Sequence, residues 1–374
     1  MATEARGTPR VSVIIPVYNL GAFVGDAIES ALTQTLPPGE VEVVVVDDGS
    51  TDGSSEVVER YVPRVRHVRQ PNRGLSAARN AGIGASSAPF LTFLDADDRL
   101  LPDKLAVQLE VFASRPEIGG VYTGWHYIDQ AGNRLPERGW SRHEGDLFPQ
   151  LVLGNLIHPH AVLVRREAVE RAGGFDESLT SLEDWDLWLR LSRDGILWAC
   201  IDRPLAEYRI RPNAMHQNPA RMAENAIRVL DKLFAAPDLP VRLVAYRPAA
   251  YQSACLVAAA DHYRAGDHEA GARWFQRAAL ARPPFLTEPR SLRRFCRLLL
   301  PPECQSRQAE IDEWPRLAAT LRTALRRLFH APGLEPGIAR LRWQAALAYW
   351  RTVVPLALRH AWRPRPGRRT PPHR

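Results

Sequence analysis

The 374-residue sequence predicts an α/β domain, a parallel sheet covered by helices on both faces, followed by an α-helical extension. Three observations carry this. Runs of β-branched residues alternate with helix-period segments through about residue 200, the pattern of a parallel sheet. Two of the runs end in acidic clusters, Asp47-Asp48 and Asp95-Ala96-Asp97-Asp98. Beyond about residue 220 the strand signals stop, and Ala, Arg and Leu dominate.

The first strand is VSVIIPV at 11–17, ended by Pro16 and the polar pair Tyr18-Asn19. Phe23, Ala27, Ile28, Ala31 and Leu32 then share one helical face. Val41 to Val46 is a second buried strand, closed by Asp47-Asp48-Gly49-Ser50. A helix from Ser54 to about Tyr61, a short strand over Val65 to Val68 and an Asn72-Arg73-Gly74 turn lead into an Ala-rich helix, Leu75 to Ala85. Phe90 to Leu94 is a third strong strand. Ligands of parallel sheets sit outside the carboxyl ends of the strands, so both acidic clusters fall on the ligand edge. Five carboxylates crowded there repel one another unless a cation sits among them.

The middle of the chain mixes both element types. Lys104 to Ser114 predicts a helix after Pro102, Gly119 to Ile128 a strand, Val162 to Val164 a strand, and Glu167 to Ala172 a helix stopped by Gly173-Gly174. EDWDLWLRLSR at 183–193 is strongly amphipathic, with Leu187, Trp188 and Leu191 facing inward. Trp198 to Ile201 and Leu205 to Tyr208 read as edge strands. In the helical part, Tyr263, Gly266-Asp267, Ala270, Phe275 and Ala278 match one tetratricopeptide-like hairpin within Ala254 to Pro283. Trp343, Leu347, Trp350, Val354 and Leu358 fall on one face of a last helix ending near Trp362. The expected domains are a disordered 1–10, an α/β domain over 11–220, a helical domain over 221–362 and a basic disordered tail over 363–374.

Composition bounds the function. Residues 1–220 carry 22 basic and 30 acidic side chains, whereas 221–374 carry 27 basic and 12 acidic ones. The basic half faces phosphates or acidic lipid if it faces a partner at all. Peripheral contact with an anionic membrane and a protein partner for the helical half both stay open; nucleic acid is not expected, because no recognition motif interleaves the arginines with aromatics. Four scattered cysteines without a CxxC pair argue against a zinc ribbon or a disulfide framework, and fit a reducing compartment. The polar start lacks a secretion signal, and no apolar run reaches the ~20 residues of a membrane span. The expected location is cytoplasmic, or peripheral at the inner face of the membrane.

Six ordered segments resemble glycosyltransferase family 2, the inverting enzymes with a GT-A (Rossmann-like) fold. They are VSVIIPVYN at 11–19, VVVVDDGSTDGS at 43–54, NRGLSAARNAG at 72–82, FLDADD at 93–98, AGGFDESL at 172–179 and EDWDLWLR at 183–190. The resemblance covers roughly 11–210 and implies transfer of one sugar from a nucleotide-diphosphate sugar, UDP- or dTDP- before GDP-, to an acceptor hydroxyl in surface polysaccharide or glycan assembly. The acceptor class is a glycan, a lipid-linked sugar or another hydroxyl compound.

What the resemblance implies residue by residue is as follows. Pro16, Tyr18 and Asn19 shelve the base, Asp48 accepts from its imide N–H, Arg79 reaches base or phosphate, and Asp95 lies near the ribose. Asp97 is the main ligand of Mn²⁺ or Mg²⁺, and Asp98 supports the loop or the metal; hard carboxylate oxygens suit those ions, with phosphates filling other positions. Asp184 is the general base that takes the proton of the attacking hydroxyl. Glu183 stands beside it, Trp185 offers a stacking wall, and Arg209, Arg211 and His216 belong to an acceptor or closing loop. The relatives' loop His is replaced here by Arg211, an Arg suited to a diphosphate. His158 and His160 are further cleft candidates. A processive synthase is disfavoured, because Arg273-Trp274 lacks a Gln three residues before the Arg. The alternative is a catalytically inactive, transferase-like scaffold that recruits partners through its helical half.

Overall fold

A computed structural model describes residues 9–136, 140–212, 214, 217–300, 307–331, 336–342, 344–349, 351 and 352. His216, Trp343, Trp350, residues 1–8 and the 363–374 tail lie outside the described residues. The chain divides into two compact units, Met1–Ala250 and Tyr251–Arg374. The change in composition near 220 therefore does not coincide with the division between units.

In the first unit eight strands form one sheet: β1 (Val11–Val17), β2 (Val41–Asp47), β3 (Arg66–Arg69), β4 (Phe90–Phe93), β5 (Arg99–Leu100), β6 (Ile118–Ile128), β7 (Val162–Arg165) and β8 (Leu197–Arg209). Their order is β3-β2-β1-β4-β7-β6-β8-β5. The helices are α1 (Val24–Leu32), α2 (Ser54–Glu59), α3 (Leu75–Ala85), α4 (Lys104–Ser114), α5 (Phe148–Leu151), α6 (Arg166–Arg171), α7 (Glu183–Arg193), α8 (Pro219–Ala235) and α9 (Val241–Val244).

β1 lies inside the sheet and is buried at all seven residues, as a mostly apolar strand must be when both faces are covered; its one hydroxyl, Ser12, donates to Glu42 at 2.6 Å. Side chains alternate across it. Val13, Ile15, Val43 and Val45 pack with α1, while Val44 and Val46 pack on α3 through Ala78. Gly82 lets α3 close on the sheet: a Cβ there meets Ile14 Cγ2 at 2.3 Å. β1 pairs in parallel with β2 on one side and β4 on the other. The chain order reverses between β1 and β4, a switch point where a crevice opens at the carboxyl ends.

Two expectations are corrected. The sheet is mixed, since β7 runs antiparallel to β4 and β6, and β5 antiparallel to β8. The two expected edge strands over 198–208 are one long strand, β8, lying between β6 and β5. Its exposed middle, Asp202 and Arg203, breaks the apolar run, and the pairing with β6 shifts register near there.

In the second unit the helices are α10 (Arg247–Arg264, entering from the first unit), α11 (His268–Ala281), α12 (Pro289–Leu298), α13 (Arg307–Asp312), α14 (Trp314–Phe329) and α15 (Pro336–Ala339). Gly266, at φ 83°, turns α10 into α11, and Asp267 caps α11 by accepting from Ala270 N. Phe275, Phe285 and Phe295 are fully buried in its core. Glu310, also fully buried, accepts from Arg293 at 2.7 and 2.9 Å.

Candidate active site

β1 and β2 end level, with Val17 opposite Asp47, and Asp48 N donates to Val17 O. β4 ends alongside, with Leu94 N donating to Ile14 O. The acidic clusters after β2 and β4 therefore flank one crevice. It is a cleft of about 770 Å³, lined among others by Pro16, Tyr18, Asp48, Arg73, Gly74, Arg79, Asp95, Asp97, Asn155, His158, Glu183, Asp184, Tyr208, Arg209 and Arg211.

At one end the wall is built by Asp48. Its Oδ1 accepts from Gln70 Nε2 at 2.7 Å and Arg73 N at 2.9 Å, and its Oδ2 from Gly74 N at 2.8 Å. A nearly buried carboxylate thus fixes the 70–74 loop. Tyr18 stands half exposed at this end. Asn19 does not line the cleft: it takes φ 52°, and its side chain accepts from Thr51 N at 2.8 Å, which buckles the loops after β1 and β2 together. Asp47 turns into the protein; burial is offset by hydrogen bonds from Ser50, which hold its carboxyl below the usual range.

On the floor Arg79, 1% exposed, bridges two segments. Its Nη2 donates to Asp95 Oδ1 at 2.6 Å, and its Nη1 pairs with Glu183. Against its burial, these two carboxylates hold it charged. Arg79 lines the cleft floor, with its Nη1 and Nη2 engaged in this bridge. The Phe175 ring lies 5.2 Å from its guanidinium carbon and edge-on to Phe93. Phe175 is set by Asn80, whose Oδ1 accepts from Phe175 N and whose Nδ2 donates to Phe175 O. Gly174 precedes it at φ 72°, and a Cβ there meets Asn80 Oδ1 at 2.7 Å. The 72–82 and 172–179 segments are therefore two halves of one joint.

Asp97 lines the cleft. Its Oδ2 is paired with Arg211, and its Oδ1 has no partner among the described residues. Asp98 turns away: it is 1% exposed, its Oδ1 accepts from Arg209 N at 2.8 Å, and its Oδ2 lies 2.7 Å from His160 Nδ1. Burial, then repulsion from Asp97 and Asp95, raises the Asp98 carboxyl well above its ordinary range. Burial lowers His160 to about 4. Asp98 is thus turned into the protein, engaged by Arg209 N and outside the cleft lining, where it supports the turn that carries Asp97. Arg209 is structural too; it donates to Asp97 O at 2.7 Å and Gln130 O at 2.9 Å, and its Nη2 meets Asp26.

Leu182, a non-glycine residue at φ 61°, caps the start of α7, which presents Glu183 and Asp184 at the cleft. Asp184 Oδ2 accepts from Asn155 Nδ2 at 2.7 Å. Burial and the adjacent Glu183 push the Asp184 carboxyl up to about 7, while Arg79 and the Asn155 hydrogen bond pull the other way. Trp185 is 3% exposed and donates to Leu151 O at 2.6 Å; Trp188 donates to Ile157 O. The stacking wall expected of Trp185 is corrected on that ground. Both indoles instead pin the 151–157 loop that carries Asn155 onto Asp184.

The cleft thus gathers Pro16, Tyr18, Asp48, Asp95, Asp97, Asp184, Glu183 and Arg211, and excludes Asn19, Asp98 and Trp185. Sequence reading missed Asn155, although it lies in the NLIHPH segment whose two histidines drew notice. It also missed the backbone N–H groups of Arg73 and Gly74, and Arg221 on the first turn of α8. Among the described residues no group of three or more His, Cys, Asp or Glu side chains is arranged to hold a metal ion by itself. No described helix is long and apolar enough to cross a membrane.

A model of the family described as glycosyl transferase family 2 matches residues 12–173. An uncharacterized glycosyltransferase of Rickettsia bellii is 32% identical over 232 residues, 61% of this chain and 33% of the relative. A chondroitin synthase of Escherichia coli is 32% identical over 191 residues, 50% of this chain and 27% of the relative. The chain spans between a third and three fifths of the length of the first curated relatives it matches. Among solved structures, residues 1–349 of S. aureus TarS with UDP-GlcNAc superimpose with TM-score 0.55 at 17% identity, over 95% of this chain and 93% of that one. A mannosyltransferase of Pyrobaculum calidifontis with GDP-Man and Mn²⁺ gives 0.52 at 20% identity, over 95% and 88%. These two likenesses show the fold, a GT-A-like mixed sheet.

Proposed function

We propose, from the match of residues 12–173 to the family 2 glycosyl transferase model, that the chain is an inverting glycosyltransferase that moves one sugar from a nucleotide-diphosphate sugar to an acceptor hydroxyl. The observation that carries the reading is the meeting of Asp97, after β4, with Asp184, on α7, in one cleft. The nucleotide belongs at the Pro16, Tyr18 and Asp48 end, where the second lone pair of Asp48 Oδ2 remains for an imide N–H. That favours UDP- or dTDP-sugars. The neighbours solved with UDP-GlcNAc and with GDP-Man are consistent with a donor of this general class.

The donor set fits a divalent ion shared with a diphosphate. Among the described residues Asp97 Oδ1 is unengaged and no three-ligand cage is present, and Asp95 stands two residues away, so most of the coordination sphere is left to phosphates and water. A bound Mn²⁺ or Mg²⁺ supplies Lewis-acid stabilisation of the leaving diphosphate. Asp97 would hold it, with Asp95 kept in place by Arg79. Asp184, oriented by Asn155, accepts the proton as the acceptor oxygen bonds to the anomeric carbon. The bond from that carbon to the phosphate oxygen breaks, and its electron pair leaves on the diphosphate. Attack opposite the leaving group inverts the centre.

Surface polysaccharide or glycan assembly is the proposed setting, and the arginine excess of 221–374 supports action at the cytoplasmic face of an anionic membrane. No observation favours the inactive scaffold. The test is a calorimetric screen of UDP-, dTDP- and GDP-sugars against the purified chain with and without Mn²⁺. Binding of one donor is expected, and on addition of an acceptor hydroxyl the sugar passes to it while the nucleoside diphosphate is released; binding of none overturns the reading.

A further inference from the structure

Five arginines line the cleft, and four are committed to protein partners. Arg79 holds Asp95 and Glu183, Arg73 meets Glu177 at 2.9 Å, Arg209 holds backbone carbonyls and Asp26, and Arg211 holds Asp97. Arg221 is different. It is exposed to the cleft, and its guanidinium has no hydrogen-bond or ion-pair partner among the described residues.

Its position is set by its helix. Asn225, 3% exposed, donates to Thr180 Oγ1 at 3.1 Å and to Arg221 O at 2.9 Å. This docks the first turns of α8 on the segment that leads through Leu182 to Asp184. Arg221, one turn before Asn225, enters the cleft wall there. Asn218 caps the same turn by accepting from Arg221 N at 3.0 Å. The positive end of a 17-residue helix adds to the guanidinium charge.

A guanidinium with no partner among the described residues, in the wall of a cleft whose four other arginines are engaged, is placed to meet negative charge that a ligand brings. We infer that Arg221 is a seat for an oxyanion, phosphate or carboxylate, carried into the cleft by a substrate. The inference rests on the transferase reading and extends it to a residue outside the family-matched segment. Two substrates can bring such a group: the donor, through its diphosphate, or an acceptor with an acidic group near the attacking hydroxyl.

Calorimetry on the full chain separates them. The probes are UDP or GDP, whichever the wild type binds with Mn²⁺; the matching nucleoside; and inorganic pyrophosphate, added to free and to nucleotide-saturated protein. Arg221→Ala is expected to weaken one oxyanion interaction about tenfold, the size of one charge-assisted contact, with nucleoside binding and melting temperature unchanged. Loss on the nucleotide diphosphate assigns the seat to the donor. Loss only of pyrophosphate binding to nucleotide-saturated protein assigns it to an acidic acceptor. Arg221→Lys should recover part of either loss. Wild-type affinity for every probe in Arg221→Ala overturns the inference while leaving the transferase reading intact. A wild type that binds pyrophosphate but no nucleotide overturns the transferase reading instead.

Discussion

Arg79 Nη2 lies 2.6 Å from Asp95 Oδ1 in the floor of the cleft, and the same guanidinium reaches Glu183 on α7. One buried cation thus ties the acidic turn after β4 to the start of the helix that carries Asp184. Removing it strands two carboxylates. Arg79→Met is expected to lower stability by about 3–5 kcal/mol, the cost of leaving buried charge unpaired. Urea denaturation measures this, and a loss under about 1 kcal/mol would remove Arg79 from that role.

Asp184→Asn keeps the shape and the Asn155 neighbour but cannot accept a proton. Transfer should fall by roughly a hundredfold or more, with donor affinity within about twofold of wild type. Retained transfer would take the base role from Asp184.

The pH dependence follows from the same residue. Its carboxyl is raised from 3.8 to about 7 in the folded protein. As a base it must be ionised, so kcat/KM should rise with pH and level off above about 7. The stability term has the opposite sign: it is full below the unfolded value near 3.8 and is lost as pH rises through about 7. Asp184→Asn should therefore flatten the fall in melting temperature over that interval. An acid limb near pH 4 contradicts the assignment.

Asp97→Ala should abolish the gain in nucleotide affinity that Mn²⁺ confers, and EDTA should reduce the wild type to the same level. Asp98→Asn should leave that metal dependence in place, since Asp98 faces Arg209 N and His160. Calorimetry with UDP and with GDP reads both variants; equal loss of metal dependence in both would restore Asp98 as a ligand.

Two glycines on one helix give a packing test. Gly82→Ala drives a Cβ into Ile14 and should cost about 1–3 kcal/mol, whereas a Cβ at Gly84 meets no packed neighbour within 4 Å and Gly84→Ala should gain up to about 1 kcal/mol from helix propensity. Equal melting temperatures for the two variants would refute the close approach of α3 to β1.

Much of the fold was legible in the chain. The β-branched runs at 11–17 and at Val41 to Val46 announced buried strands because apolar side chains on both faces leave no face for water. Asp47-Asp48 and Asp95–Asp98 announced a ligand edge because parallel strands end on the same side. β8 was read as two strands because its exposed Asp202 and Arg203 look like a loop until β6 is placed beside them.

By itself, the sequence determined that acids would gather at one edge of a sheet, because strand direction and alternation are local properties. Which of them face the cleft was decided by tertiary structure alone. Glu183 meets Arg79 across 104 positions and Arg209 meets Asp98 across 111, and such partners set whether a charged side chain is spent inside the protein or left for a ligand. Asn155 acquired a role only because two tryptophans of α7 pull its loop onto Asp184. A side chain's burial and hydrogen bonds depend on what packs against it, and neighbours along the chain do not carry that information.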